Sequence, residues 1–206
     1  AGDVLVVISA SGNSQNAVNA AKLMQKLGGK VIAMTGFSGG ALKELADDPD
    51  NIVISGWLLT HVHNDHMGSF MDMSTKPECR EAITIKQVIY SQPADDKMIA
   101  SGIEHRIKWV PDSIDRWMPD SVVKAHPGQT FYFADLKLTI LGTQDIVLPE
   151  SIQSHNNASV VSMVEFQGKK ALMLADSEAN ENRALVSIYC DELDAEILQL
   201  THHGYS

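Results

Sequence analysis

The sequence predicts an α/β fold in two parts, and three observations carry that prediction. Short apolar runs alternate with helix-spaced segments over the first 55 residues. From Trp57 onward, strand-like runs lead repeatedly into histidine or aspartate. The chain has 206 residues, 44% apolar and 20% charged, which is ordinary for a globular protein and long enough to bury a core.

The elements follow in order. Asp3 to Ser9 is a short apolar run of the kind a buried parallel strand shows. Ser11-Gly12-Asn13-Ser14 is a turn that offers helix N-caps. Gln15 to Leu27 carries Val18, Ala21, Met24 and Leu27 at helical spacing, and Gly28-Gly29 stops it. Lys30 to Thr35 is a second strand, so the segment reads as a βαβ unit. Gly36 to Gly40 is a loop, Ala41 to Asp47 a short helix, and Asn51 to Ile54 a third strand. The character changes near Ser55-Gly56. Trp57 to Thr60 is a strand, Met67 to Met73 a helix, and Ile83 to Tyr90 alternates like one strand. A helix is expected around Asp96 to Ile107. Two hairpins follow: Thr130 to Phe133 with Leu136 to Leu141, and Val160 to Phe166 with Lys170 to Leu174, turning at Gln167-Gly168. Glu181 to Ile188 reads as a helix and Ala195 to Leu200 as a strand.

Charge and composition narrow the function classes. Residues 1–55 carry four basic and five acidic groups, and residues 56–206 carry twelve basic and twenty-one acidic, together the net −10. An acidic surface disfavours long nucleic acids as partners. No apolar stretch approaches the roughly 20 residues of a membrane helix, and no signal peptide is visible. Cys79 and Cys190 match no CxxC pattern, which points to a reducing, cytoplasmic compartment. His105 and His126 lie in no motif and read as surface or structural residues, whereas Trp57, Trp109 and Trp117, and Met67, Met71 and Met73, read as packing residues. A homo-oligomer is compatible with the sequence.

The chemistry concentrates in Thr60-His61-Val62-His63-Asn64-Asp65-His66. Residues i and i+2 at a strand end face the same way, so His61 and His63 converge on one ion. After the turn, Asp65 and His66 present ligands to a second. Imidazoles and carboxylates are donors for zinc, manganese or iron. Asp176 follows the apolar run Leu172-Met173-Leu174, and a carboxylate in that position can bridge two cations about 3.5–4 Å apart. His202 and His203 again stand at a strand end.

Residues 56–206 resemble a metallo-β-lactamase-fold hydrolase of the branch found in competence-type DNA-uptake proteins. The carrying residues are Thr60 to His66, Asn156-Asn157-Ala158-Ser159-Val160-Val161, Ala175-Asp176-Ser177-Glu178 and His202-His203-Gly204-Tyr205-Ser206. The resemblance implies an αββα sandwich, incomplete here at both ends, and a site with two divalent metals, zinc first. It implies that His61 and His63 bind one metal and Asp65 and His66 the other. Asp176 would bridge, and His202 or His203 would complete the second site. It also implies hydrolysis of a phosphodiester or other small ester by a metal-bound hydroxide, with Asp65 as the catalytic residue orienting the water. Two departures stand out. The region where many relatives carry a further histidine ligand reads Ser154-His155-Asn156-Asn157, and Ala175 stands where glycine is usual.

Residues 2–54 resemble the second half of a sugar-isomerase (SIS) domain, close to phosphoheptose isomerases, on Gly2 to Leu5, Ile8 to Ser14, Val31 to Gly36 and Gly39 to Leu42. The resemblance implies a flavodoxin-like βαβ segment that binds a carbohydrate derivative, with Ser9, Ser11 and Ser14 on a sugar phosphate. Hydroxyls and free N–H groups at a helix N-terminus suit an anion. The first half of that domain and its acid–base residues are not in the sequence, so isomerase activity is not expected. The two parts, 1–55 and 56–206, form either an artificial chimera or a composite fold. An active hydrolase, a phosphosugar-binding module with a vestigial metal site, and a catalytically inactive fusion all remain open.

Overall fold

The computed structural model describes residues 4–9, 11–35, 39–45, 52–92, 109–147 and 154–204. The chain divides into two compact units, Ala1–Ile52 and Val53–Ser206. In the first, β1 (Val4–Ser9) and β2 (Lys30–Thr35) pair in parallel, with Val4 opposite Lys30 and Ser9 opposite Thr35. A parallel pair needs a crossover, and α1 (Gln15–Lys26) supplies it. Val18 and Ala21, one turn apart on α1, are buried with Val7 and Leu42. The helix expected over Ala41 to Asp47 is described as α2 (Gly40–Lys43), and residues past Leu45 lie outside the described residues.

The second unit runs β3 (Ile52–Ile54), β4 (Trp57–Leu59), α3 (Asn64–Ser74), α4 (Pro77–Ala82), β5 (Ile83–Ile85), β6 (Gln87–Tyr90), α5 (Trp109–Trp117) and β7 (Ser121–Lys124). It continues through β8 (Thr130–Phe133), β9 (Leu136–Gly142), β10 (Val161–Phe166), β11 (Lys169–Met173), α6 (Ala179–Tyr189) and β12 (Ile197–Gln199). One sheet has the order β4-β6-β7, all parallel. The other has the order β12-β11-β10-β9-β8, antiparallel except for the parallel β11–β12 pair. β3 pairs with β5.

Strand alternation sorts the core into three seams. Leu59 and Val88 join Met67, Phe70 and Met71 of α3 and Val110, Ile114 and Trp117 of α5. Their neighbours Leu58 and Ile89 point the other way, onto Leu138, Ile140 and Val160. Leu141, Val161, Met163 and Leu172 then meet Leu185 of α6. The period of two along a strand therefore yields the expected αββα layering in this unit. Trp57 and Trp117 pack on Phe70, and Met67 and Met71 are core, as expected. Trp109, in contrast, is 45% exposed.

Three local readings need correction. Ile83 to Tyr90 is two strands, β5 and β6, that pair with different partners, because the backbone breaks at Lys86, whose N–H donates to the Ile54 carbonyl at 2.9 Å. α4 was not expected, although Pro77 at its first turn is a readable start signal. β7 was not expected either; its side chains are only half-buried or exposed, so no apolar run marks it. The helix around Asp96 to Ile107, with His105, falls outside the described residues. Among the described residues, no helix is long and apolar enough to cross a membrane.

Candidate metal centre

Both sheets of the second unit deliver polar loops to one edge. β4 is followed by Thr60, whose carbonyl accepts from the Val160 N–H at 2.8 Å, so the segment entering β10 is tied to the segment carrying His61. β11 ends in the Ala175-Asp176 turn, and the Ala175 carbonyl accepts from the His202 N–H at 3.1 Å. Asp65 and His66 stand in the first turn of α3, where the helix dipole favours a carboxylate.

Two donor groups result: His61, His63 and Asp176, and Asp65, His66, Asp176 and His203. In the first, His61 Nε2 lies 3.0 Å from His63 Nδ1 and 3.7 Å from Asp176 Oδ2. In the second, His66 Nε2 lies 3.2 Å from Asp176 Oδ2 and 3.4 Å from Asp65 Oδ2. His203 Nε2 lies 3.0 Å from Asp65 Oδ2 and 3.7 Å from Asp176 Oδ2. Zinc–nitrogen bonds of about 2.1 Å in a tetrahedron set donor–donor spacings of about 3.4 Å, so these separations suit a metal. The buried polar atoms agree: Asp176 Oδ1 has no hydrogen-bond partner, and His66 Nε2 has only the Asp176 and Asp65 carboxylates beside it. Buried polar atoms are normally paired, and a metal would satisfy these.

The protonation states suit metal binding. Burial, reinforced by His66 and His63, pushes the His61 imidazole down to about 2, so it is neutral at physiological pH. Burial raises the Asp65 carboxyl, but hydrogen bonds from its own N–H and with His203 outweigh this and hold it below the usual carboxylate range.

His203, not His202, stands in the second group. Both residues are left-handed, at φ 57 and 49, so strand alternation does not carry through to them. His155, 1% exposed, sits edge-on to His63 with ring centroids 5.5 Å apart. Burial and the neighbouring His63 push it down to about 4, and its Nε2 has no partner. It belongs to neither donor group but lines the first. Sequence reasoning missed Glu178, whose carboxylate accepts from Ser154 Oγ at 2.8 Å, Asn156 Nδ2 at 3.0 Å and Asn157 Nδ2 at 2.8 Å. The signal was the run of polar residues around His155, all with one distant acceptor.

In the first unit the three serines share one turn. Ser9 Oγ, buried, donates to Ser14 Oγ at 2.9 Å, and Ser11 Oγ accepts from the Asn13 N–H at 3.2 Å. Ser14 precedes α1 without capping it through its side chain. Gly12, at φ 68, lies against the Gly39 carbonyl, where a Cβ would come within 1.8 Å, so only glycine fits.

A family model for the SIS domain matches residues 1–36. The phosphoheptose isomerase of Mycobacterium tuberculosis (strain CDC 1551 / Oshkosh) is 56% identical over 46 residues, 22% of this chain and 24% of that protein. The probable phosphoheptose isomerase of Thermoplasma acidophilum is 49% identical over 51 residues, 25% of this chain and 28% of that protein. The chain spans about a quarter of the length of the curated relatives it matches. Among solved structures, a HARLDQ-motif mutant metallo-β-lactamase from Cronobacter sakazakii is similar with a TM-score of 0.43 at 17% identity, covering 97% of this chain and 69% of that one. The SIS match thus ends at residue 36, and every residue of the two donor groups lies beyond it.

Proposed function

We propose that the second unit is a binuclear metal-dependent hydrolase acting on a phosphodiester or another small ester. The observation that carries this reading is Asp176, 2% exposed, whose Oδ2 faces histidines of both donor groups. His61, His63 and Asp176 would hold one ion, and Asp65, His66, Asp176 and His203 the other. Zinc is the first choice for this donor set, with manganese or iron as alternatives. When bound, two such ions supply a water of lowered pKa and polarise the ester oxygen. Asp65, the more exposed of the two carboxylates, would orient that water. The net charge of −10 supports small substrates over long nucleic acids. The free cysteines Cys79 and Cys190 support a cytoplasmic location.

The test is hydrolysis of bis(p-nitrophenyl) phosphate and p-nitrophenyl acetate by the zinc- or manganese-loaded chain, wild type against Asp176→Ala and His63→Ala. Turnover lost in both variants, with the circular dichroism spectrum unchanged, supports the reading. Equal rates in wild type and variants would sink it.

A second reading rests on the match over residues 1–36: the Ser9–Ser14 turn binds a sugar phosphate. Exposed Ser11 and Ser14 with the N-terminus of α1 form an anion-compatible cradle. Sugar-phosphate protection against melting, absent in Ser11→Ala, is its test.

A further inference from the structure

The segment 154–160 touches three parts of the first donor group. Its His155 ring packs edge-on to His63. The Ser159 Oγ accepts from the Asp176 N–H at 3.3 Å. The Val160 N–H reaches the carbonyl of Thr60, the residue before His61, at 2.8 Å. None of the hydrogen bonds described for this segment goes to Asp65, His66 or His203.

A single carboxylate gathers the polar side chains of the segment's first half. Glu178 Oε1 accepts from Asn156, and Oε2 accepts from both Ser154 and Asn157. Asn156 and Asn157 are 5% and 3% exposed, so these bonds are sheltered from water. Hydrogen bonds to an ionised acceptor are about twice as strong as neutral ones. No cation pairs with Glu178 among the described ion pairs, so its charge is spread over three amide and hydroxyl donors. Glu178 also lies two residues after Asp176, so one short turn carries both the shared donor and the anchor of the opposing segment.

We propose that Glu178 is a positioning residue for the His61–His63–Asp176 group, acting by fixing the segment 154–160 as its wall. The inference rests on the binuclear reading above. Outer hydrogen-bond partners of a metal site are typically worth about 10–100-fold in metal affinity. Glu178→Ala therefore weakens the His61–His63–Asp176 site by up to that factor, and the Asp65–His66–Asp176–His203 site, which the segment reaches only through Asp176, by less.

The experiment is a zinc titration of the full chain against a chromophoric chelator, with cobalt absorption as a second readout. Wild type is compared with Glu178→Ala, Glu178→Gln and Asn157→Leu. Asn157→Leu removes a donor at the other end of the clamp and keeps the inference testable if Glu178→Ala does not fold. His63→Ala identifies the cobalt bands of the first group. The expected result is one site weakened more than the other and preferential loss of those bands in Glu178→Ala, a smaller loss in Asn157→Leu, and partial rescue in Glu178→Gln, whose amide oxygen keeps one acceptor. A two-zinc wild type with unchanged affinities in Glu178→Ala and Asn157→Leu overturns this inference alone, as does equal weakening of both sites. A wild-type chain that binds no zinc overturns the binuclear reading and this inference with it.

Discussion

The serine turn of the first unit and the histidine edge of the second are both polar loops at strand ends, but they handle their polar atoms differently. Ser9 bonds Ser14, Asn13 bonds Ser11, and the Asn13 side-chain oxygen accepts from the Ala41 N–H at 2.9 Å. That turn satisfies itself. At the histidine edge, Asp176 Oδ1 and His155 Nε2 are buried without hydrogen-bond partners, and His66 Nε2 meets only the carboxylates of Asp176 and Asp65. Leaving such atoms unpaired costs roughly 1–3 kcal/mol each, which fits the proposed metal site. The part of the chain with the stronger family match is thus the part whose local geometry asks less of a ligand.

Substitutions at the edge sharpen that contrast most. His203→Ala should remove one of two bound ions and lower hydrolysis by at least about 100-fold, whereas His202→Ala should keep both ions. Elemental analysis with rate measurements on the two variants decides this, and equal effects would contradict the assignment of His203. For the serine turn, a sugar phosphate at about 100 times its Kd should stabilise the chain by about 2.7 kcal/mol, read as a melting shift. Ser11→Ala should remove that shift while leaving zinc content untouched. Loss of zinc in Ser11→Ala would break the separation of the two regions.

Smaller effects concern stability. Glu181 is fully buried, and burial raises its pKa well above the usual value against the lowering effect of a backbone hydrogen bond from Ser159, with Glu178 adding to the rise. A raised folded-state pKa means stability is present below the unfolded value of about 4.3 and is lost as pH rises through the folded one. Glu181→Gln removes that titration. The variant should therefore melt progressively higher than wild type as pH goes from 5 to 8, measured on the metal-free chain. A pH-independent difference would show that Glu181 keeps its usual pKa. Smallest is Ala175→Gly. Ala175 has φ 50, a conformation that strains an L residue and suits glycine. The change should stabilise by up to about 1 kcal/mol in denaturant melts.

Much of this was legible in the sequence where pattern and structure share a period. The βαβ unit, both hairpins and the strand leading into His61 follow from alternation and helical spacing. His61, His63 and Asp176 after strands, and Asp65 and His66 at the start of a helix, lie together in the two donor groups. What stayed hidden depends on distant partners or special backbone. Lys86 splits an apparently continuous strand because its flanks pair with different strands. His202 and His203 could not be told apart because two left-handed residues in succession reset the side-chain directions. Glu178 was invisible as an anchor because its three donors lie 21 to 24 residues away in the chain.

In the proposed site one carboxylate, Asp176, serves two metal ions. This arrangement is tested most directly by metal content per purified chain, by elemental analysis after reconstitution, for wild type and Asp176→Ala. Two ions per wild-type chain, with both weakened in Asp176→Ala, is the predicted result. No tightly held metal in wild type, or two ions retained in Asp176→Ala, would contradict it.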